Sequence, residues 1–221
     1  GRIGGQTLDW AVYNGEITLP GLLIPEHYAR EPWKIHTDYK SLDYFAEPIK
    51  TDLYKLLARQ VEPRIGKIDY DVDGKLVGNW FLERTNWYAG AQSSNQYWGG
   101  HLSLVPHYID PDVWQFSIGD WQGKATQFGI SGVPDPNTIG VGSGPAKYEL
   151  RQIELFNGDT DRPWHSNEEP ITNPKGRLTG DSKGTVLLQL IDDRKLKVET
   201  FPGRLATEVS GFTSSANIYE R

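Results

Sequence analysis

The residues whose types and spacing come nearest to chemistry are carboxylates. Asp69, Asp71, Asp73 and Gly74 spell D-x-D-x-D-G, the opening of a calcium-binding loop. Such a loop needs a bidentate carboxylate at its twelfth position, after a tight glycine turn. Counted from Asp69 that position is Trp80, which offers no oxygen ligand, and the flanking residues read as strands rather than helices. The expectation is a solvated hairpin edge. His101 and His107 are the closest histidine pair, but six residues of strand separate them by about 20 Å. No H-x-H or H-E-x-x-H occurs. His165 lies among Asp159, Asp161, Glu168 and Glu169, which could gather a cation only if their loop folds back. No metal site is expected.

Other reaction types fare no better. Gly140-Val141-Gly142-Ser143-Gly144 lacks the Lys and Ser/Thr of a phosphate loop, and Pro145 stands where a helix would begin. No G-x-S-x-G nucleophile motif is present. Glycoside hydrolysis requires two carboxyls about 5–10 Å apart in a cleft. Asp110, Asp112, Asp120 and Glu149 lie near predicted strand ends, with nothing in their spacing to select a pair. No catalytic residue and no cofactor is assigned. Aromatic residues are more informative. Trp87, Tyr88, Tyr97 and Trp98 flank a loop of mostly small residues at 89–95, and Trp114, Phe116 and Trp121 follow. Amphipathic rings at a cavity mouth can pack on the apolar faces of sugars, lipids or ring compounds. Trp87, Trp98, Trp114 and Tyr148 are the candidate ligand contacts, and Trp80 reads as core.

The elements that would position these residues are mostly strands. In the stretch from Lys67, Ile68, Tyr70 and Val72 alternate with charged residues, Asp73-Gly74 suits a type I′ turn, and Lys75–Glu83 reads as the returning strand. Further strands are predicted at 101–108, 113–119, 125–131, 146–155, 184–191, 194–201 and 216–221. About nine strands in 155 residues predict a mainly β fold, an antiparallel β-barrel or alternatively a β-sandwich. One helix is expected over 47–60, with Pro48 in its first turn and Ile49, Leu53, Leu56 and Leu57 as its apolar stripe. Two long loops, 129–145 and 156–184, complete the reading. Residues 1–66 form an N-terminal helix-containing layer packed on a barrel domain of 67–221.

Composition narrows the partners. The chain has 221 residues, with 23 basic against 29 acidic side chains and a net charge of −6, which disfavours nucleic acid. No apolar run is long enough for a helical membrane span. Cysteine is absent, which excludes disulfides, thiolate nucleophiles and thiolate metal sites. Methionine is absent too, even at position 1. The expectation is a cleaved leader, a piece processed or cut from a larger protein, or a start within the gene, in an extracytoplasmic or secreted bacterial setting that the resistance to common oxidative lesions favours.

Gly78-Asn79-Trp80 resembles the G-x-W element of the lipocalin/calycin superfamily. That resemblance implies a Trp80 that plugs one barrel end beneath a basic side chain, for which Arg221 or Arg204 would serve. It also implies a small hydrophobic or amphipathic ligand in the barrel, bound without catalysis. The departure is the 77 residues that precede the motif. Segments such as PEHYAREPWKIH, LDYFAEPI and KIDYDVDGKLVGNWFLERTNWYAG resemble the region that follows LytM-type zinc peptidase domains in secreted bacterial proteins. No zinc ligand carries over, since Thr7-Leu8-Asp9-Trp10 has no histidine. The rival readings are a carbohydrate-binding module, an isomerase, cyclase or glycan hydrolase working inside the barrel, and a structural domain with a filled barrel.

Overall fold

The computed structural model describes residues 10–90, 97–165 and 171–221. Nine strands form one antiparallel sheet: β1 (Gly78–Leu82), β2 (His101–Pro106), β3 (Trp114–Trp121), β4 (Lys124–Ser131), β5 (Ala146–Asn157), β6 (Arg162–Pro163), β7 (Pro174–Asp192), β8 (Lys195–Pro202) and β9 (Asn217–Glu220). Neighbours in sequence are neighbours in the sheet, except that β5 pairs with both β6 and β7. Because β9 returns to β1, the sheet closes in a barrel-like ring. A single sheet closed on itself, rather than two packed sheets, removes the exposed edges of an open one.

Period-two patterning explains why these segments close. The register sets Trp80 opposite Leu102 and Leu102 opposite Ile118. It sets Phe116 opposite Phe128, Tyr148 opposite Val186 and Leu196 opposite Tyr219. All of these project inward into one core with Leu104, Leu150, Leu188, Leu190 and Val198. A slip of one residue on any strand would turn its apolar set to water, so the core fixes the register. Trp80, Phe116 and Leu150 have no exposed surface, and Tyr148 has 1%. The interior is packed side chain to side chain.

Three expectations are corrected. The 67–83 hairpin does not form. A turn at Asp73-Gly74 is present, but β1 pairs with β2 and β9, while residues 67–72 lie against the N-terminal layer. The Asp71 amide donates to the Gly21 carbonyl (2.9 Å), so the backbone predicted to pair with β1 is already engaged. The helix is only Ile49–Lys55, with Pro48 as its N-cap. Its stripe is not buried: Ile49 and Leu56 are more than half exposed, so no sheet face selects them. The loop at 156–184 is largely ordered, since β7 begins at Pro174 and its first part pairs with β5 as a ribbon extending from the ring. Ile153 and Leu178 of that ribbon fold over Gly129, where a Cβ would collide with both.

The residues of the G-x-W element occupy one end of the ring. Gly78 has φ of +131°, and a Cβ there would fall on Asp71 and the Arg221 guanidinium. Only glycine fits both the conformation and the space. Trp80 Nε1 donates to the Leu76 carbonyl at 2.9 Å. The Arg221 guanidinium lies 4.0 Å from the Trp80 ring centroid and donates to the carbonyls of Val77, Val72 and Lys75 at 2.5–2.6 Å. Arg204 instead lies over Phe201.

Candidate functional site

A pocket of about 130 Å³ opens at one mouth of the ring, lined by Leu82, Ile118, Asp120 and Tyr219 among others. Sites for small molecules usually span about 300–1,000 Å³. The cavity that falls in this range and is walled by aromatic rings lies elsewhere, on the outer face of β1–β4 beneath the N-terminal layer, with a volume of about 650 Å³. A groove of about 730 Å³ runs between α1 and residues 171–173, but it is walled mainly by polar side chains such as Lys50, Lys55, Gln60 and Arg64.

The layer is held over the sheet by two devices. Leu19, Leu22 and Tyr28 pack on Phe81, which projects outward from β1, with Ile35, Tyr39, Trp87 and Tyr88 around them. Asp69 accepts from the Gly21 amide (2.9 Å) and the Tyr39 hydroxyl (2.6 Å), and Asp71 accepts from the amides of Leu23 (3.2 Å) and Asn79 (2.7 Å). These two carboxylates therefore clamp the layer to the ring and are occupied by protein donors. Asp73 pairs with Arg194.

The floor of the cavity comes from alternate outward positions of four strands. Asn79, Ser103, Ser117 and Gln127 stand opposite one another across β1, β2, β3 and β4. Leu22, Tyr28, Ile68, Phe81, Tyr88 and Trp98 form the walls. Trp98 is 39% exposed and reaches the cavity because Gly119 of β3 lets its turn approach. A Cβ at Gly119 would overlap the Trp98 carbonyl.

His101 sits at the centre of the aromatic wall, with its ring 4.8 Å from Tyr88 and 5.3 Å from Phe81. Its Nε2–H donates to the Tyr88 carbonyl at 3.0 Å, which sets the tautomer. Burial holds its pKa below the ordinary histidine value. Lys34 is matched by Glu31 at 3.2 Å, and Glu31 also accepts from the Tyr88 hydroxyl. Burial, with Tyr97 and Glu31 nearby, pushes the Tyr88 phenol up. Burial raises the Tyr28 phenol as well; its oxygen is buried beside Asn79 with no partner in hydrogen-bond geometry.

Burial likewise depresses His27, stacked 3.5 Å from Trp87, and His107, whose Nδ1 accepts from the amides of Ile109 and Asp110. A histidine depressed in the folded state leaves the unfolded chain binding more protons, so its contribution is complete above about pH 6.5 and declines as pH falls. The expected result is a melting temperature that drops on acidification from pH 7.5 to 5, with the drop flattened in His101→Asn and His107→Asn. A melting temperature that rises through that window would contradict the assignment.

The sequence candidates separate. Trp98 lines the cavity; Trp87 belongs to the same turn as Tyr88 but stacks on His27 instead of lining it. Trp114 packs against the core and borders a second groove of about 490 Å³, lined largely by polar groups such as Lys67, Asp69, Asp112 and Asn137. Tyr148 is a core residue whose hydroxyl donates to the Pro134 carbonyl at 2.7 Å, so it is removed from the ligand contacts. The carboxylates considered for catalysis hold backbone: Asp110 accepts from Gly176, Asp120 from Gly123 and Glu149 from Ala206. Asp112 borders the second groove with Trp114. Gly140-to-Gly144 is a turn closed by the Gly140 amide on Ser143 Oγ. Glu168, Glu169, residues 91–95 of the small-residue loop at 89–95 and residues 7–9 lie outside the described residues. Among the described residues no three His, Asp or Glu side chains gather as a metal site. Tyr28, Lys34, His101 and the floor residues were not selected from sequence as ligand contacts, because the strand register aligns the floor and the docking of the N-terminal layer adds Tyr28 and Lys34. Comparison with protein-family models, with curated proteins and with solved structures finds no match to this chain.

Proposed function

We propose that this chain binds a small amphipathic ligand, without catalysis, in the cleft between the N-terminal layer and the outer face of β1–β4. The observation that carries the reading is the contrast between a filled ring interior and a cavity of about 650 Å³ with aromatic walls and a polar floor. Burial of apolar ligand surface would supply affinity at roughly 25 cal/mol per Å², and the polar groups would fix orientation. The hydrogen-bonded carboxylates leave no unoccupied pair for acid–base work among the candidates considered. The Arg221–Trp80 stack and the meander of strands support kinship with the calycin superfamily, with the ligand outside the ring rather than in it. The lack of Cys and Met supports an extracytoplasmic setting.

The test is ligand binding followed by tryptophan fluorescence and by mass spectrometry of the native protein. Trp98→Ala is expected to weaken binding about tenfold, the scale of one aromatic contact. Gly119→Val should act in the same direction without touching a ligand-contacting side chain, since it displaces the turn that carries Trp98. Unchanged affinity in both variants would remove the cleft from consideration.

A further inference from the structure

The floor and walls of the cleft discriminate among amphipathic ligands. All four floor side chains are uncharged, and each comes from a different strand. Adjacent strands lie about 4.8 Å apart, so the row repeats polar groups at a spacing that a ligand with one polar head cannot match. Asn79 donates its amide nitrogen to the Ile68 carbonyl (3.1 Å), and Ser117 Oγ accepts from Gln115 (3.0 Å), which leaves an acceptor and a hydroxyl donor for the cleft. Ser103 and Gln127 take no side-chain partner among the described residues. Above them the Tyr28 hydroxyl is buried beside the Asn79 side chain, with the residue 6% exposed and lining the same cavity.

Charge points the same way. Lys34, the cation of the lining, already faces Glu31, and His101 is spent on the Tyr88 carbonyl. No unmatched cation among the described lining residues awaits a carboxylate or phosphate. Trp98 meanwhile offers a partly exposed indole beside the polar row. Rings that present C–H groups on one face and hydroxyls round the edge meet both surfaces at once.

We infer that the ligand is a neutral saccharide, stacked on Trp98 with its hydroxyls against Asn79, Ser103, Ser117 and Gln127; this rests on the binding function proposed above. The test titrates the intact chain, by tryptophan fluorescence and NMR, with neutral oligosaccharides of glucose, galactose, mannose and N-acetylglucosamine. Dodecanoate and anilinonaphthalene sulfonate are run alongside. At least one saccharide is expected to bind, and Trp98→Ala and the double variant Ser103→Ala with Gln127→Ala should each weaken it about tenfold or more. Both floor positions are outward and tolerate alanine, so unaltered NMR dispersion separates lost binding from lost folding. Saccharide binding that neither variant weakens would overturn the inference. Binding of dodecanoate or the sulfonate alone, lost in Trp98→Ala, would overturn the saccharide and keep the cleft. No binding by any probe would overturn both.

Discussion

Trp80→Ala is expected to destabilise the protein by about 3–5 kcal/mol, the range for removing a large, fully buried aromatic side chain. Trp80 has no exposed surface and packs in the core that fills the ring. At this chain length the loss corresponds to a fall in melting temperature of roughly 10 °C. Trp80→Phe retains most of the packing but leaves the Leu76 carbonyl without its 2.9 Å donor. Its expected penalty is about 1 kcal/mol beyond the packing change. Denaturant unfolding of both variants checks the two parts separately. A melting temperature equal to that of the parent in Trp80→Ala would refute the core assignment.

Arg221→Ala is expected to have an effect of similar size, about 3–5 kcal/mol, through a different mechanism. Arg221 is 4% exposed, and its guanidinium serves three backbone carbonyls while covering the Trp80 ring. Burial lowers its pKa to about 10, which keeps it charged at neutral pH. Removal takes one donor from each carbonyl, although Val72 and Val77 keep a backbone donor from Lys75 and Val72, and takes away the cation that faces Asp71, 3.9 Å distant. Burial already holds the Asp71 carboxyl above its ordinary value, and loss of Arg221 should raise it further, measurable by NMR titration. Arg221→Lys should recover only part of the stability, because a single ammonium cannot cover a ring and reach three carbonyls. A double-mutant cycle with Trp80→Ala should give a coupling of about 0.5–3 kcal/mol. Strict additivity would mean that the stack contributes nothing.

These two residues also mark how far the sequence can be read. Gly78-Asn79-Trp80 singled out Trp80, and the basic partner was narrowed to two arginines; the choice of Arg221 over Arg204 required the return of β9 to β1. Strands at 101–131, 146–155 and from 184 onward were legible because each alternates apolar and polar residues, a local property, whereas β6 and the first part of β7 were read as loop. The shortened helix and the lost hairpin were misread because their outcome depended on distant partners. An apolar stripe is buried only where a surface awaits it, and residues 67–72 contact β1 through Asp71 and Asn79 while Asp69 and Asp71 bind Gly21 and Leu23, so no strand ladder forms with β1.

Sequence alone determined the period of each strand, and so which side chains would share a face. Tertiary structure alone decided which face would hold a cavity. The interior positions are large and fill the ring, whereas small and uncharged Asn79, Ser103 and Ser117, with the bare backbone of Gly119, leave room beneath the N-terminal layer. Four polar residues from four strands become one surface only when the register aligns them, and register is a contest between whole faces that no single strand can settle.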